Sequence, residues 1–183
     1  MLRILGKIHR IGIVTEPIPT IDESALTEVG EQLRDHVGEQ FGGSLAIREV
    51  DAGSCNGCEL EIQALNNSYY SIERFGVHFV ASPRHADMLL VTGPVSRHME
   101  AALRSVYDAT PEPKLVIAVG RCGADGGEFG TSYASRGAVS NVIPVDGIIY
   151  GCPPTPLDLM RGILQAIAKR QQYSTDNQAD KIA

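Results

Sequence analysis

Residues 114–123 read Lys-Leu-Val-Ile-Ala-Val-Gly-Arg-Cys-Gly, and the fold turns on this stretch. Leu115–Val119 is an unbroken apolar run of strand length. A strand with one wet face would alternate, so a continuous run belongs to a strand covered on both faces. Glycine stops the run, and Cys122 follows at once. Met88–Thr92 and Val77–Ala81 read as short apolar strands bounded by turn residues, the second interrupted by His78. Leu45–Val50 reads as a further strand, and it also leads directly into a cysteine turn, Cys55-Asn-Gly-Cys58.

Helical periodicity fills the gaps. Leu26, Val29, Leu33 and Val37 share one face of residues 24–40, and Gly42-Gly43 ends that segment. Residues 58–67 are expected to be helical after the first cysteine turn. Between Ser96 and Asp108, Met99, Ala102, Leu103 and Val106 keep helical spacing, with Ser96 placed to cap the amino end. Thr155 is a suitable N-cap and Pro156 a suitable first helical residue, followed by Met160, Ile163, Leu164 and Ile167 on one face. Buried-type strands alternating with helices predict an α/β fold, a flavodoxin-like parallel sheet with helices on both faces. Ligands of such sheets sit beyond the carboxyl ends of the strands.

Cys55, Cys58, Cys122 and Cys152 are the only cysteines, and each stands in a glycine-rich turn. Successive members are 3, 64 and 30 residues apart. The first two are local neighbours; the others must be delivered by the fold. Four thiolates suit one 4Fe–4S cluster, and glycines 57, 123 and 151 leave backbone amides free to approach sulfide. Structural zinc prefers a second closely spaced pair. A thioredoxin-like pair would leave Cys122 and Cys152 unexplained. Unrelated core thiols are the bland reading, at odds with four cysteines out of four in glycine or proline turns. The cluster at the carboxyl edge of the strands is favoured among these.

A formal charge of −6, no tryptophan and 5% aromatic residues argue against a nucleic-acid surface. No apolar run approaches the roughly 20 residues that cross a bilayer. Residues 1–11 lack the pattern of a signal peptide and no twin-arginine signal is present, so the expected compartment is the cytoplasm. No nucleophile–base pair, phosphate loop or nicotinamide fingerprint occurs; Gly120, Gly123 and Gly126 have dinucleotide-like spacing, but Cys122 stands among them. Three segments result: residues 1–20, a basic amphipathic stretch and a proline-bearing extended linker; residues 21–170, one domain; and residues 171–183, a polar tail expected to be disordered. The amphipathic stretch fits a membrane surface, a partner, or the domain's own core.

Cys55-Asn-Gly-Cys58-Glu59, Ser82-Pro83-Arg84-His85-Ala86-Asp87, Pro111-Glu-Pro-Lys114, Gly120-Arg-Cys122, Gly126-Gly-Glu-Phe129 and Val145-Asp146 with Gly151-Cys152-Pro153-Pro154 occur in one order. Together they resemble the 20-kilodalton iron–sulfur subunit of respiratory complex I and the small subunit of energy-converting, membrane-bound nickel–iron hydrogenases. The first two cysteines are adjacent in the complex I subunit; the spaced Cys55 and Cys58 match the hydrogenase branch, as in formate-hydrogenlyase-type complexes. The resemblance implies one 4Fe–4S cluster on Cys55, Cys58, Cys122 and Cys152, in a subunit that is itself non-catalytic. It implies a large subunit holding the nickel–iron centre, a ferredoxin-like iron–sulfur subunit and membrane subunits as partners, at the cytoplasmic face of the membrane. The alternative it leaves is a complex I-type subunit passing electrons to quinone.

Other residues carry weaker expectations. Glu59 either acts beside the cluster or caps the local helix. Met99 matches a methionine near the quinone pocket of the complex I subunit, although core packing is the plainer reading. Arg84 is expected to bind the large subunit or damp the cluster's charge, or else to be an exposed turn cation, and His85 stands where the family often has glutamine. Asp146 is either an acid near the cluster or a turn residue. His9, His36, His78 and His98 show no ligand pattern.

Overall fold

The computed structural model describes residues 2–11 and 23–179. Its strands are β1 (Leu45–Asp51), β2 (Val77–Phe79), β3 (Met88–Thr92), β4 (Val95–Ser96), β5 (Leu115–Val119), β6 (Ser135–Gly137) and β7 (Gly147–Ile149). The helices are α1 (Leu2–Ile11), α2 (Glu23–Phe41), α3 (Gly57–Ala64), α4 (Glu100–Ala109), α5 (Gly120–Asp125) and α6 (Pro156–Ala179). Five strands form one sheet in the order β2-β1-β3-β5-β7, every neighbouring pair parallel. β4 and β6 form a separate antiparallel ribbon.

The continuous apolar runs behave as expected. Every residue of β3 and β5 is buried, because the sheet is covered on both sides. Successive side chains in β3 part company: Met88 and Leu90 join Leu33, Val37, Ile163 and Ile167 from α2 and α6, while Leu89 and Val91 join Leu103 of α4 with Val139 and Ile143. The period of two thus divides one apolar strand between two cores. Leu26, Val29, Leu33 and Val37 are all buried, the face predicted for α2. Gly42 and Gly43, both at positive φ, end α2 as expected.

α6 begins with reciprocal capping. The Asp158 amide donates to Thr155 Oγ1 at 3.2 Å, and the Thr155 amide donates to Asp158 Oδ2 at 3.3 Å. The helix runs to Ala179, so residues 171–179 are helical where the sequence points to disorder. Glutamine, lysine and arginine favour helix once an anchored turn precedes them. Residues 180–183 and the proline-bearing linker lie outside the described residues.

Two local expectations differ from the structure. Ser96 belongs to β4, its amide taken by the Ala52 carbonyl at 2.7 Å, and α4 starts at Glu100. Ser96 Oγ still accepts from the Met99 amide at 3.2 Å, so the cap-like contact forms one turn early. Ala102 is exposed, and Leu103 alone of the expected face is fully buried.

Candidate metal centre

Because β1, β5 and β7 run parallel in one sheet, their carboxyl ends open on the same edge, and each exit carries a cysteine. Cys55 follows β1, Cys122 lies within α5 after β5, and Cys152 follows β7. The first turn is built by short side chains. Asp51 Oδ1 accepts from the amides of Gly53 at 2.7 Å and Ser54 at 2.8 Å, and Ser54 Oγ accepts from the Asn56 amide at 3.1 Å. Asn56 then takes φ +70°, a left-handed conformation that asparagine tolerates, and α3 starts with Cys58 in its first turn. The Arg121 amide donates to the Gly151 carbonyl at 2.8 Å, sewing the Cys122 turn to the Cys152 turn.

Two glycines report how tightly the sulfurs are held. A Cβ on Gly120, which has φ +76°, would lie 2.7 Å from Cys58 Sγ; one on Gly127 would lie 2.8 Å from Cys122 Sγ. Gly57 places Cys55 Sγ and the Pro153 ring, beside Cys152, on a common neighbour at 3.5 and 3.9 Å from its Cβ direction. The sulfur of Cys58 therefore rests against the Cys122 turn, and that of Cys55 near the Cys152 turn. All four thiols are free; Cys55 and Cys152 are exposed and the other two half-buried. They line the edge without closing round one point: among the described residues, no three His, Cys, Asp or Glu side chains are grouped to hold a single metal ion.

Burial pushes the Cys58 thiol up to about 12, with the negative charges of Glu59, Cys55, Cys122 and Cys152 adding to the effect. Cys122 is raised too, first by burial and then by Cys152, Cys55 and Asp125, against a lowering by Arg121. Cys58 and Cys122 thus resist ionising in the metal-free chain. A cationic group among them reverses that preference.

Glu59 is 6% exposed, and neither carboxylate oxygen has a hydrogen-bond partner. It stands in the first turn of α3, where a carboxylate faces the helix dipole, but makes no capping hydrogen bond. Its charge reaches Glu49, whose carboxyl is raised by burial first and by Glu59 second. Arg48 and Glu49 line a cavity of about 130 Å³ with Ile62, Gln63, Asn66, Phe79 and Val80. Sequence reasoning missed this pocket; Arg48 and Glu49, side by side between the apolar residues of β1, were its one available signal.

Asp146 has a structural duty. Its Oδ2 accepts from the Val116 amide at 2.8 Å and its own amide donates to the Val116 carbonyl, which pins the entry of β7 to β5 at the end of the sheet away from the thiols. Asp87 does the same for β3, pairing both ways with Ala46. Arg84 and His85 are exposed on a 3₁₀ turn, Pro83–His85. Met99 is half-buried and outside both cores. Leu60, Phe129 and Tyr150, one beside each cysteine turn, are exposed although large and apolar.

Residues 55–166 match the family model of the NADH ubiquinone oxidoreductase 20 Kd subunit. The probable membrane-bound hydrogenase subunit mbhJ of Pyrococcus furiosus is 45% identical over 129 residues, 70% of this chain and 77% of that protein. The chain belongs to the 20 Kd subunit family. Another relative, formate hydrogenlyase subunit 7 of Escherichia coli, is 39% identical over 94% of this chain; the chain spans 65% of that protein's length. Among solved structures, a chain of an archaeal respiratory complex, the membrane-bound sulfane sulfur reductase, superposes with a TM-score of 0.60 and 30% identity, covering 81% of this chain and 75% of that one. A chain of the [NiFeSe]-hydrogenase from Dm. baculatum, 18% identical with a TM-score of 0.50, covers 73% of this chain and 65% of its own and shows the shared fold. The hydrogenase, formate hydrogenlyase and sulfane sulfur reductase relatives are subunits of oxidoreductase complexes. Among its described residues no helix is long and apolar enough to cross a membrane.

Proposed function

We propose that this chain is the electron-transfer small subunit of a membrane-bound, hydrogenase-like complex, and that Cys55, Cys58, Cys122 and Cys152 hold one 4Fe–4S cluster. The observation that carries the reading is the meeting of three strand exits, which present four free thiols on one edge against glycines with no room for a Cβ. Structural zinc draws four donors onto a single centre. No three thiols among the described residues are grouped round one ion; the cluster reading asks instead for one iron at each sulfur. When bound, such a cluster supplies reversible one-electron transfer.

The chain's own residues do the rest. Gly120 and Gly127 keep space open beside the sulfurs, and the Arg121–Gly151 hydrogen bond holds two turns in register. The raised Cys58 and Cys122 thiols would give up their protons to water more readily once a metal cation binds the sulfurs. Leu60, Phe129 and Tyr150 ring the edge as an apolar rim that suits docking of a large subunit bearing a nickel–iron centre. The ferredoxin-like subunit and the membrane subunits complete the assembly, at the cytoplasmic face of the membrane.

The test is anaerobic co-expression with the large subunit, followed by iron and sulfide analysis and electron paramagnetic resonance of the reduced complex. About four irons per chain, bleached by reductant, is the expected result; stoichiometric zinc without iron defeats the reading. Reduction of the centre by hydrogen separates it from the quinone-linked alternative, in which quinol and not hydrogen reduces it.

A further inference from the structure

Helix α1 plays no part in the thiol edge, and its composition is unlike the rest of the chain. Its ten residues read Leu-Arg-Ile-Leu-Gly-Lys-Ile-His-Arg-Ile. At about 100° per residue, Ile4, Leu5, Ile8 and Ile11 fall within one arc by spacing, and Arg3, Lys7 and Arg10 fall together on the opposite side. Residues 1–15 contain three lysine or arginine residues and no aspartate or glutamate, in a chain whose formal charge is −6. Ile4 is 64% exposed and Leu5 59%. Lys7, His9 and Arg10 are exposed as well. Ile4, Leu5, Lys7 and Arg10 are therefore left uncovered by the domain.

We propose that α1 is an interfacial anchor that lies flat on an anionic phospholipid surface, with Ile4 and Leu5 entering the boundary of the acyl chains and Lys7 and Arg10 facing lipid phosphates. The ten described residues of helix reach ~15 Å, about half of a bilayer's hydrocarbon core, and carry three cations, which suits lying along a surface. Short isolated helices are marginal in water, so an uncovered amphipathic helix of this size gains most of its order from the surface it meets. Charge selects the surface. A basic stripe on an acidic protein is repelled by nothing on a phosphate-rich leaflet, whereas the remainder of the molecule is, so binding orients the chain through α1. The inference does not draw on the thiols, and it is read whether or not iron is present.

Flotation of the full chain with vesicles tests it. The vesicles are phosphatidylcholine alone or an equal mixture of phosphatidylcholine and phosphatidylglycerol. Binding to the mixed vesicles is expected, falling with added salt. At about fivefold in partition per basic residue, the double variant K7Q/R10Q lowers binding roughly thirtyfold. The variant I4E/L5E abolishes binding even at low salt. Since all four positions are exposed, gel filtration and circular dichroism should match the parent. Absence of binding to the mixed vesicles, equal binding to both compositions, or indifference to both variants overturns the proposal. So does an outcome in which I4E/L5E releases the chain from a co-purified subunit while vesicle binding is unchanged, because α1 is then a protein contact. Iron content, measured on the same samples, reports separately on the cluster.

Discussion

Gly120 is the position where one added carbon has the most direct chemical consequence. Its φ of +76° disfavours any side chain, and a Cβ there would press on Cys58 Sγ at 2.7 Å from β-carbon to sulfur. Left-handed backbone costs a non-glycine residue roughly 1–2 kcal/mol, which a domain with two cores tolerates. Gly120→Ala is therefore expected to fold, with a slightly lower thermal midpoint, and to lose most of its iron; iron per chain and near-ultraviolet absorbance measure it. A cavity-lining control, Gln63→Ala, should keep its iron.

Cys58 makes a second residue-scale prediction through pH. The folded thiol is raised to about 12, while an unfolded cysteine titrates near ~8.5. Below the unfolded value both states keep the proton, and stability does not depend on this group. Between the two values the unfolded chain gives up a proton that the native chain retains, so the metal-free protein loses stability as pH rises from about 9 towards 12. Urea midpoints at pH 8 and pH 10 check the sign, and a Cys58→Ala variant should lose less over the same interval. In the native metal-free chain, Cys58 should also be alkylated by iodoacetamide at pH 8 at least tenfold more slowly than in urea, since the thiolate is the nucleophile. Mass spectrometry of peptides reads that ratio directly.

Among elements, α4 shows how a single cation closes a helix. Lys114 is 8% exposed; its Nζ donates to the carbonyls of Tyr107 at 2.9 Å and Thr110 at 3.0 Å and lies 4.1 Å from the Tyr107 ring centroid. Those carbonyls are among the orphans at the end of α4. Lys114→Met keeps the stem and removes the donors, and the expected cost is about 1.5–3 kcal/mol in chemical denaturation. Much of this scale was legible in advance. β3 and β5 announce themselves by continuous apolar composition, and the α2 and α6 faces by helical spacing. β7, Gly147–Ile149, and the β4–β6 ribbon were not legible, because two or three residues carry no period to read. They exist because neighbours already in place complete them: Asp146 on Val116 for β7, and the Ala52 carbonyl on Ser96 for β4. The continuation of α6 past residue 170 belongs to the same class, since propensity acts there only after a capped and buried beginning.

For the molecule as a whole, the sequence predicted two cysteine turns, those of Cys55 and Cys122, at strand exits on one edge of a parallel sheet; the turn of Cys152 follows β7, which no period announces. The rim around that edge was hidden, since isolated large apolar residues near turns are ordinary in any sequence. In three dimensions Phe129 is 67% exposed and Tyr150 68%, each beside a different cysteine turn, with Leu60 beside the third. Exposed large apolar side chains beside the cysteine turns suit a contact with another protein. If the large subunit covers this edge, each aromatic buried there contributes ~1.5–3 kcal/mol. The variant F129D/Y150D, altering residues already in solvent, should leave the folded chain intact. It should weaken association with a co-expressed large subunit by a factor of a hundred or more, since about 1.4 kcal/mol is tenfold in affinity. Affinity co-purification at matched expression, with circular dichroism on the isolated variant, measures both halves; full recovery of the large subunit would remove the rim as the docking face.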